Sequence, residues 1–544
     1  MKFEKYETNK EVFNWYQKDG LTILQSTILG NRLGEYNPNF LNPTINNIDN
    51  PKLLDCKKSV DKIIEVMNME GSVLFTTDAD VDGVCAMTIL YKIFTEVFDY
   101  KNCIRIDSDR HLGYGISNSV VDQINALNPD LIISADAGIS DSERIKNINC
   151  KFFICTDHHL PPSEGCPNAY SIVNPHMCDY SNVCGCVVAF LLMIEVAKKL
   201  KLKNMKSLIN YMDYLAVSTV ADMMSLDNIT NRFFVQKGLE LMNSHQNPIW
   251  RAFGTEFNEE EIGFNIAPHI NAVARINGVC TEATDFLLCD NLIDAKKKKR
   301  VLVKLNKERK EISLNMANMA RSLESKTINS TTFYDTSNVS GVCGISAGNI
   351  AQSTGKPCAV FADSSDNTLA GSIRNGGSVN VNKVLSNMNT QFPELLLSWG
   401  GHQAACGLKI MKKDIDLFTE VFDKLIKEID TEEPILHYDG ELKYVNEGIY
   451  KQIAQIGCFG KDFPKPLFLY SGTITNVKPL GKSEPTIHTS CILNGNKAVC
   501  FNSNENFEYL LSRDGKSVQV LYTISMNSFA GRKNLQLMID KVIK

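Results

Sequence analysis

Three short apolar runs, "SVLFTT" (72–77), "LIISA" (131–135) and "KFFICT" (151–156), each run straight into an aspartate: Asp78, Asp136 and Asp157. Polar residues bound all three, and segments of helical pattern such as "CAMTILYKIFTEVF" and "DSERIKNI" separate them. They read as buried parallel strands of an α/β sheet. In such a sheet the carboxyl ends of the strands share one edge, and that edge is where these folds bind ligands. Three carboxylate-bearing loops, distant in sequence, are therefore expected to meet in space.

The first of those loops sharpens the point. "TTDADVDG" places Asp78, Asp80 and Asp82 at alternate positions, and alternate residues of an extended segment face one way. Three carboxylates held together repel one another unless a cation neutralises them. "SADAG", "TDHH" and "STVADMMSL" add Asp136, Asp157, His158, His159 and Asp222. Carboxylate oxygens with imidazole nitrogens suit Mn²⁺ or Mg²⁺ better than the thiolate-rich sites of structural zinc. The charge is enough for two divalent cations, and two-metal sites act on phosphoesters. One aspartate after a strand is ordinarily a helix cap or turn residue; four such fragments, each at a strand or helix end, are not explained that way.

At 544 residues the chain is too long for one core and should hold several domains. The net charge of −5 gives no global basic field, so any nucleic-acid site must be local. The start, "MKFEKYETNKEVFNWYQKDG", lacks the apolar stretch of a signal peptide, and no run approaches the ~18 apolar residues of a membrane span. A cytoplasmic protein with no membrane attachment is expected. Its seventeen cysteines should then be reduced thiols packed as small hydrophobes. That includes the group His176, Cys178, Cys184 and Cys186, whose spacing does not fit zinc. "KKKKR" (296–300) is the densest basic patch, either a solvated helix face or a phosphate contact.

Residues 281–325 carry Leu302, Leu305, Ile312, Met316 and Leu323 at helical spacing and predict one long amphipathic connecting helix. Residues 326–431 again alternate strand and helix. From 432 to 544, runs such as "PLFLYSGTITNV" and "SVQVLYTISM" predict an all-β domain, a small barrel.

In the order "DADVDG", "ADAG", "TDHH", "VADMM", the motifs resemble the DHH phosphoesterase superfamily. "SDRHLGYG" (108–115), "LNKERKEI" and "GGHQAACG" (400–407) extend the likeness through its DHHA1 domain. "IAQIGCFGKDFPKPLF" and "NSFAGRKNLQLMI" are similar to the OB region of RecJ-like members. The resemblance implies an α/β fold with a parallel-sheet DHH domain (71–280), a connecting helix (281–325), a smaller α/β DHHA1 domain (326–431) and an OB-like β-barrel (432–544). Residues 1–70 would pack on the DHH domain. It also implies a single-stranded-DNA-specific 5′→3′ exonuclease of repair and recombination, using two divalent cations, Mn²⁺ or Mg²⁺. A helicase and a single-strand-binding protein are the partners expected with it.

By the same resemblance Asp80, Asp82, Asp136, His158 and Asp222 are metal ligands, with Asp136 bridging and Asp78 a weaker ligand beside them. His159 faces the scissile phosphate and Asp157 orients the imidazoles. Arg110, Tyr114, Asn271, Arg275, Ser372, Arg374 and His402 contact nucleic acid. Two departures stand out: in "APHINAVAR" His269 replaces an arginine, and in "GISAGN" Gly348 and Asn349 replace a Ser-Arg pair. Two alternatives compete with the exonuclease: an oligoribonuclease or cyclic-dinucleotide phosphodiesterase, and an inactive replication scaffold. The former generally lack the long helix and OB region, and the latter lose carboxylates that this chain keeps.

Overall fold

The computed structural model describes residues 2–48, 55–112, 115–178, 180, 182–322, 327–364, 367–429, 435–481, 488–501, 506–529 and 532–544. The chain divides into two compact units, 49–224 with 234–432, and 1–48 with 225–233 and 433–544.

The first unit opens with the aspartate-bearing sheet. Strand β1 (Val73–Thr77) leads into helix α1 (Val81–Lys92), followed by β2 (Cys103–Asp107), β3 (Leu131–Ala135), β4 (Phe153–Thr156) and β5 (Ser171–Val173). The strand order is β2-β1-β3-β4-β5, and every pairing is parallel. β1, β3 and β4 are buried along their whole length, as expected of strands covered on both faces. The reversal of strand order around β1 makes this a doubly wound sheet, with Asp78, Asp136 and Asp157 at one edge. Helices α2 (Gly185–Lys199) and α3 (Met212–Ala221) follow, both apolar nearly all round and buried.

Further on, α4 (Ala267–Asn277) precedes α5 (Leu292–Ser322). The connecting helix therefore begins at Leu292 and not at 281; a separate short helix, Thr281–Leu287, comes first. Asn291 stops it from joining α5, because its side chain accepts the Asp294 N–H at 2.9 Å and so caps the new helix. Beyond α5 lie β6 (Thr331–Tyr334), α6 (Ser340–Thr354), β7 (Cys358–Asp363), β8 (Thr368–Arg374), β9 (Ser398–His402) and β10 (Ala405–Met411). These strands form a mixed sheet of order β9-β10-β8-β7-β6. Its core includes Phe361, Ile373, Phe418 and Phe422.

The second unit holds a closed barrel. β11 (Phe468–Pro479), β12 (Thr489–Leu493), β13 (Asn496–Cys500), β14 (Ser517–Phe529) and β15 (Arg532–Ile543) pair in the ring β11-β12-β13-β15-β14 and back to β11. Closure removes the exposed edges of the sheet. Residues 2–48 belong to this unit. Strand Lys2–Lys5 pairs in parallel with Ile435–Tyr438, and Arg32 forms a two-pronged ion pair with Asp439. The fully buried Arg232 guanidinium ties the segments together. It donates to the carbonyls of Phe40, Leu226, Ile456, Gly457 and Cys458 and lies 4.0 Å from the Phe40 ring centroid. Among the described residues no helix is long and apolar enough to cross a membrane.

Candidate metal and phosphate site

Each aspartate motif is held by a specific local device. Asp80 caps α1, its side chain accepting the N–H groups of Asp82 at 2.9 Å and Gly83 at 3.2 Å. Gly83 is dictated by space, since a Cβ there would lie 2.1 Å from the Asp78 carbonyl oxygen. Asp82 is anchored at the start of α2. Its carboxylate accepts from the Gly185 N–H at 2.6 Å, from the Cys186 N–H at 2.8 Å and from the Ser218 hydroxyl. A helix amino terminus stabilises a carboxylate through its free N–H groups and dipole. Asp136 follows β3 with φ +56, a left-handed backbone, and its N–H donates to the Thr156 carbonyl at 3.0 Å.

The groups converge. His158 Nε2 lies 3.2 Å from Asp136 Oδ1, 3.5 Å from Asp222 Oδ2 and 3.7 Å from Asp82 Oδ2. Three sets of side chains bring ligand atoms close enough to hold an ion: Asp136, His158 and His159; Asp82, His158 and Asp222; Asp78, Asp80 and Asp136. Asp157 is differently engaged. Oδ1 accepts the backbone N–H of His158 and of His159 and lies 2.8 Å from His159 Nδ1, and Oδ2 accepts the Ile139 N–H. Oδ1 is thus engaged by the two histidines and Oδ2 by the Ile139 backbone.

The electrostatics of this cluster call for cations. Burial and the Asp80 charge push Asp78 up to about 7. Burial with Asp82 and Asp80 pushes Asp222 up to about 9, and burial with Asp82 lifts Asp136 well above the carboxylate range. Burial lowers His158, which keeps its ring neutral. Burial also works against charge on His159, but the hydrogen bond and charge of Asp157 outweigh it and raise the ring to about 9. Asp157 is pushed up by burial and held lower still by that same imidazole. Crowded carboxylates that would otherwise take up protons, beside a neutral buried ring nitrogen with no hydrogen-bond partner among the described residues (His158 Nε2), form a donor set that fits hard divalent cations.

A basic wall lies near the acidic cluster. Burial first, then the neighbouring charge of Arg110, lowers Arg275 to about 9, with Arg309 and Arg374 acting the same way and Asp80 opposing. Arg275 Nη1 donates to the Gly341 carbonyl at 3.1 Å, linking α4 to α6. Arg374 Nη1 donates to Ser372 Oγ at 2.8 Å from β8, and the exposed His402 ends β9. Asn271 stands one turn before Arg275 on α4. Tyr114 lies outside the described residues.

The departures find other surroundings. His269 Nδ1 lies 2.6 Å from the Asn265 carbonyl and its ring meets Phe253 edge-on. Burial and the charges of Lys299, Lys310 and Arg309 lower its pKa. Asn349 donates to Ser313 Oγ at 3.1 Å, a contact between α6 and α5. In "KKKKR", Lys298 and Lys299 donate to the backbone carbonyls of Asp285 and Ala252, whereas Lys296, Lys297 and Arg300 are exposed. Cys184 and Cys186 are buried, and among the described residues no potential ligand group includes a cysteine.

Sequence reasoning missed Gly185 and Ser218, which lie in the apolar helices α2 and α3, and Arg309. Arg309 had a signal, its place in "LNKERKEI". The only sign of Gly185 was a glycine opening an apolar helix. In space, a Cβ on Gly185 would lie 2.6 Å from Asp136 Cβ.

A parallel sheet with converging aspartates and a histidine pair, a connecting helix and a second α/β domain define a DHH/DHHA1 phosphoesterase. Residues 72–219 match the DHH family, N-terminal domain, 327–428 the DHHA1 domain, and 438–541 the RecJ OB domain. Carrying all three, the chain is similar to RecJ proteins of that superfamily. It is 26% identical to the single-stranded-DNA-specific exonuclease RecJ of Haemophilus influenzae, covering 93% of this chain and 94% of that one. It is 28% identical to the Escherichia coli protein of the same name, covering 89% and 90%. The fold is similar to that of RecJ in complex with Mn²⁺ from Thermus thermophilus, with a TM-score of 0.82 at 21% identity, covering 100% of this chain and 79% of that one.

Proposed function

We infer that this chain is a single-stranded-DNA-specific 5′→3′ exonuclease that hydrolyses phosphodiester bonds with two divalent cations, Mn²⁺ or Mg²⁺, and releases mononucleotides in DNA repair and recombination. The observation that carries the reading is the meeting of Asp82, Asp136 and Asp222 around His158 Nε2, in a chain that also carries the OB barrel of RecJ proteins.

On this reading Asp78, Asp80, Asp82, Asp136, His158 and Asp222 would hold the ions, Asp136 being shared by two of the three ligand groups. Bound divalent cations supply positive charge for the phosphoryl oxygens and acidify water. His159, its Nδ1 side held by Asp157 and its pKa near 9, keeps a proton at Nε2 for an oxygen of the scissile phosphate. Arg110, Arg275, Ser372, Arg374 and His402, with Asn271 and Tyr114, bind the neighbouring phosphates; guanidinium forks match that geometry. The barrel offers a platform for the strand, which favours a polymer over a dinucleotide as substrate. A helicase that opens duplex and a protein that coats single strands are the partners such a substrate calls for, and the cytoplasm is where it would be met.

Asp136→Ala should abolish cleavage of labelled single-stranded DNA while binding persists, and excess chelator should do the same to the unaltered chain. Full activity in either case would refute the reading.

A further inference from the structure

Three apolar side chains stand in the open where segments bearing the site residues end. Leu160, next to His159, and Met223, next to Asp222, are each 64% exposed. His158 Nε2 lies 3.5 Å from Asp222 Oδ2, so the segments carrying Leu160 and Met223 meet at the acidic cluster. The third is Phe264, 83% exposed, on a π-turn, Ile262–Ile266, that runs directly into α4. The turn lies against the last turn of α3: a Cβ on Gly263 would be 4.0 Å from Val220 Cγ1, two residues before Asp222. Phe264 therefore belongs to the stretch joining the Asp222 region to the helix of Asn271 and Arg275.

Single exposed apolar residues are common and need no explanation. These three are not scattered, because each adjoins a segment of the acidic or basic wall. The backbone beneath two of them is irregular as well. Met223 takes φ +54, which side-chain-bearing residues rarely adopt, and π-turns inserted before a helix gather at functional sites. The charged groups at the site suit the phosphates of a strand and not the faces of its bases. A base presents a flat, uncharged face, which an exposed phenyl ring stacks on regardless of base identity.

We propose that Phe264, with Met223 and Leu160, forms a nucleobase-binding rim that packs against a base of the single strand beside the phosphodiester to be cut. The proposal rests on the exonuclease reading above and adds to it a base contact.

The test uses the full-length chain in excess chelator, so that binding is read without cleavage. The probes are a short single-stranded oligonucleotide and versions with one abasic site stepped along the 5′ region. One abasic position should weaken binding by the unaltered chain about tenfold, in the range of one stacked base. Phe264→Ala should bind the intact strand about tenfold more weakly and show no further loss at that abasic position. Phe264→Trp should restore both affinity and discrimination. If Phe264→Ala keeps the intact affinity or the full abasic penalty while the unaltered chain still digests single strands, the rim is overturned and the exonuclease reading stands. If the unaltered chain neither binds nor digests single strands, both fall.

Discussion

Replacing Gly185 by alanine adds one methyl group at the start of α2 and should disable the site. The backbone there is helical, so alanine is conformationally acceptable and the effect is steric. The new Cβ would lie 2.6 Å from Asp136 Cβ and 2.8 Å from its Cα, where carbon atoms rest at about 3.5–4.0 Å. One partner must therefore move by about 1 Å. If α2 moves, the 2.6 Å bond from the Gly185 N–H to Asp82 stretches; if Asp136 moves, it leaves His158. Overpacking of this kind costs about 1–3 kcal/mol, and a displacement of that size costs about a hundredfold in rate. Denaturant unfolding reads the first quantity, single-turnover digestion of labelled single strands the second, and Mn²⁺ titration by calorimetry the accompanying loss of ion affinity. Gly34→Ala, where a Cβ meets nothing within 4 Å, is the control and should change none of them. Unaltered rate and Mn²⁺ affinity in Gly185→Ala would refute the placement of α2 against the carboxylates.

Arg232→Met strips hydrogen bonds from four buried carbonyls and one half-buried one and should destabilise the unit of 1–48, 225–233 and 433–544 by at least about 3 kcal/mol; a change below about 1 kcal/mol in urea unfolding would contradict that. Asp213 is raised by burial to about 6, against the hydrogen bonds of Asn247 and Trp250. Its folded pKa exceeds the unfolded value, so its contribution is present below about pH 4 and lost as pH rises through about 6, amounting to about 3 kcal/mol. Asp213→Asn should therefore gain stability relative to the unaltered chain between pH 4 and 7, and parallel stability profiles would show that Asp213 does not titrate in this window.

The carboxylate edge was legible because β1, β3 and β4 are continuous apolar runs, each ending on its aspartate. The edge strand β2, "CIRID", carries a charge at its centre and is half-buried, so its pattern did not separate it from a loop. The start of α5 was misplaced because "TEATDFLLCDNLIDA" keeps helical spacing across the break, and only the Asn291 side chain marks the new beginning. Residues 2–48 join the unit of 433–544 through strand pairing with Ile435–Tyr438 and the Arg32–Asp439 pair, contacts some 400 residues apart that no local pattern encodes. Likewise, Gly185, Ser218 and Arg309 act through proximity created by the fold. His269, read as a lost cation, sits beside Lys299, Arg309 and Lys310, which no spacing rule connects to it.

The most direct test of the central claim follows the products of single-stranded DNA labelled at either end, with blunt duplex alongside, in Mn²⁺ or Mg²⁺. The proposed function predicts that label at the 5′ end is released first, as a mononucleotide, while the 3′ label stays on shortening strands and blunt duplex persists. Release from the 3′ end first, or digestion of blunt duplex as fast as single strands, would contradict the account.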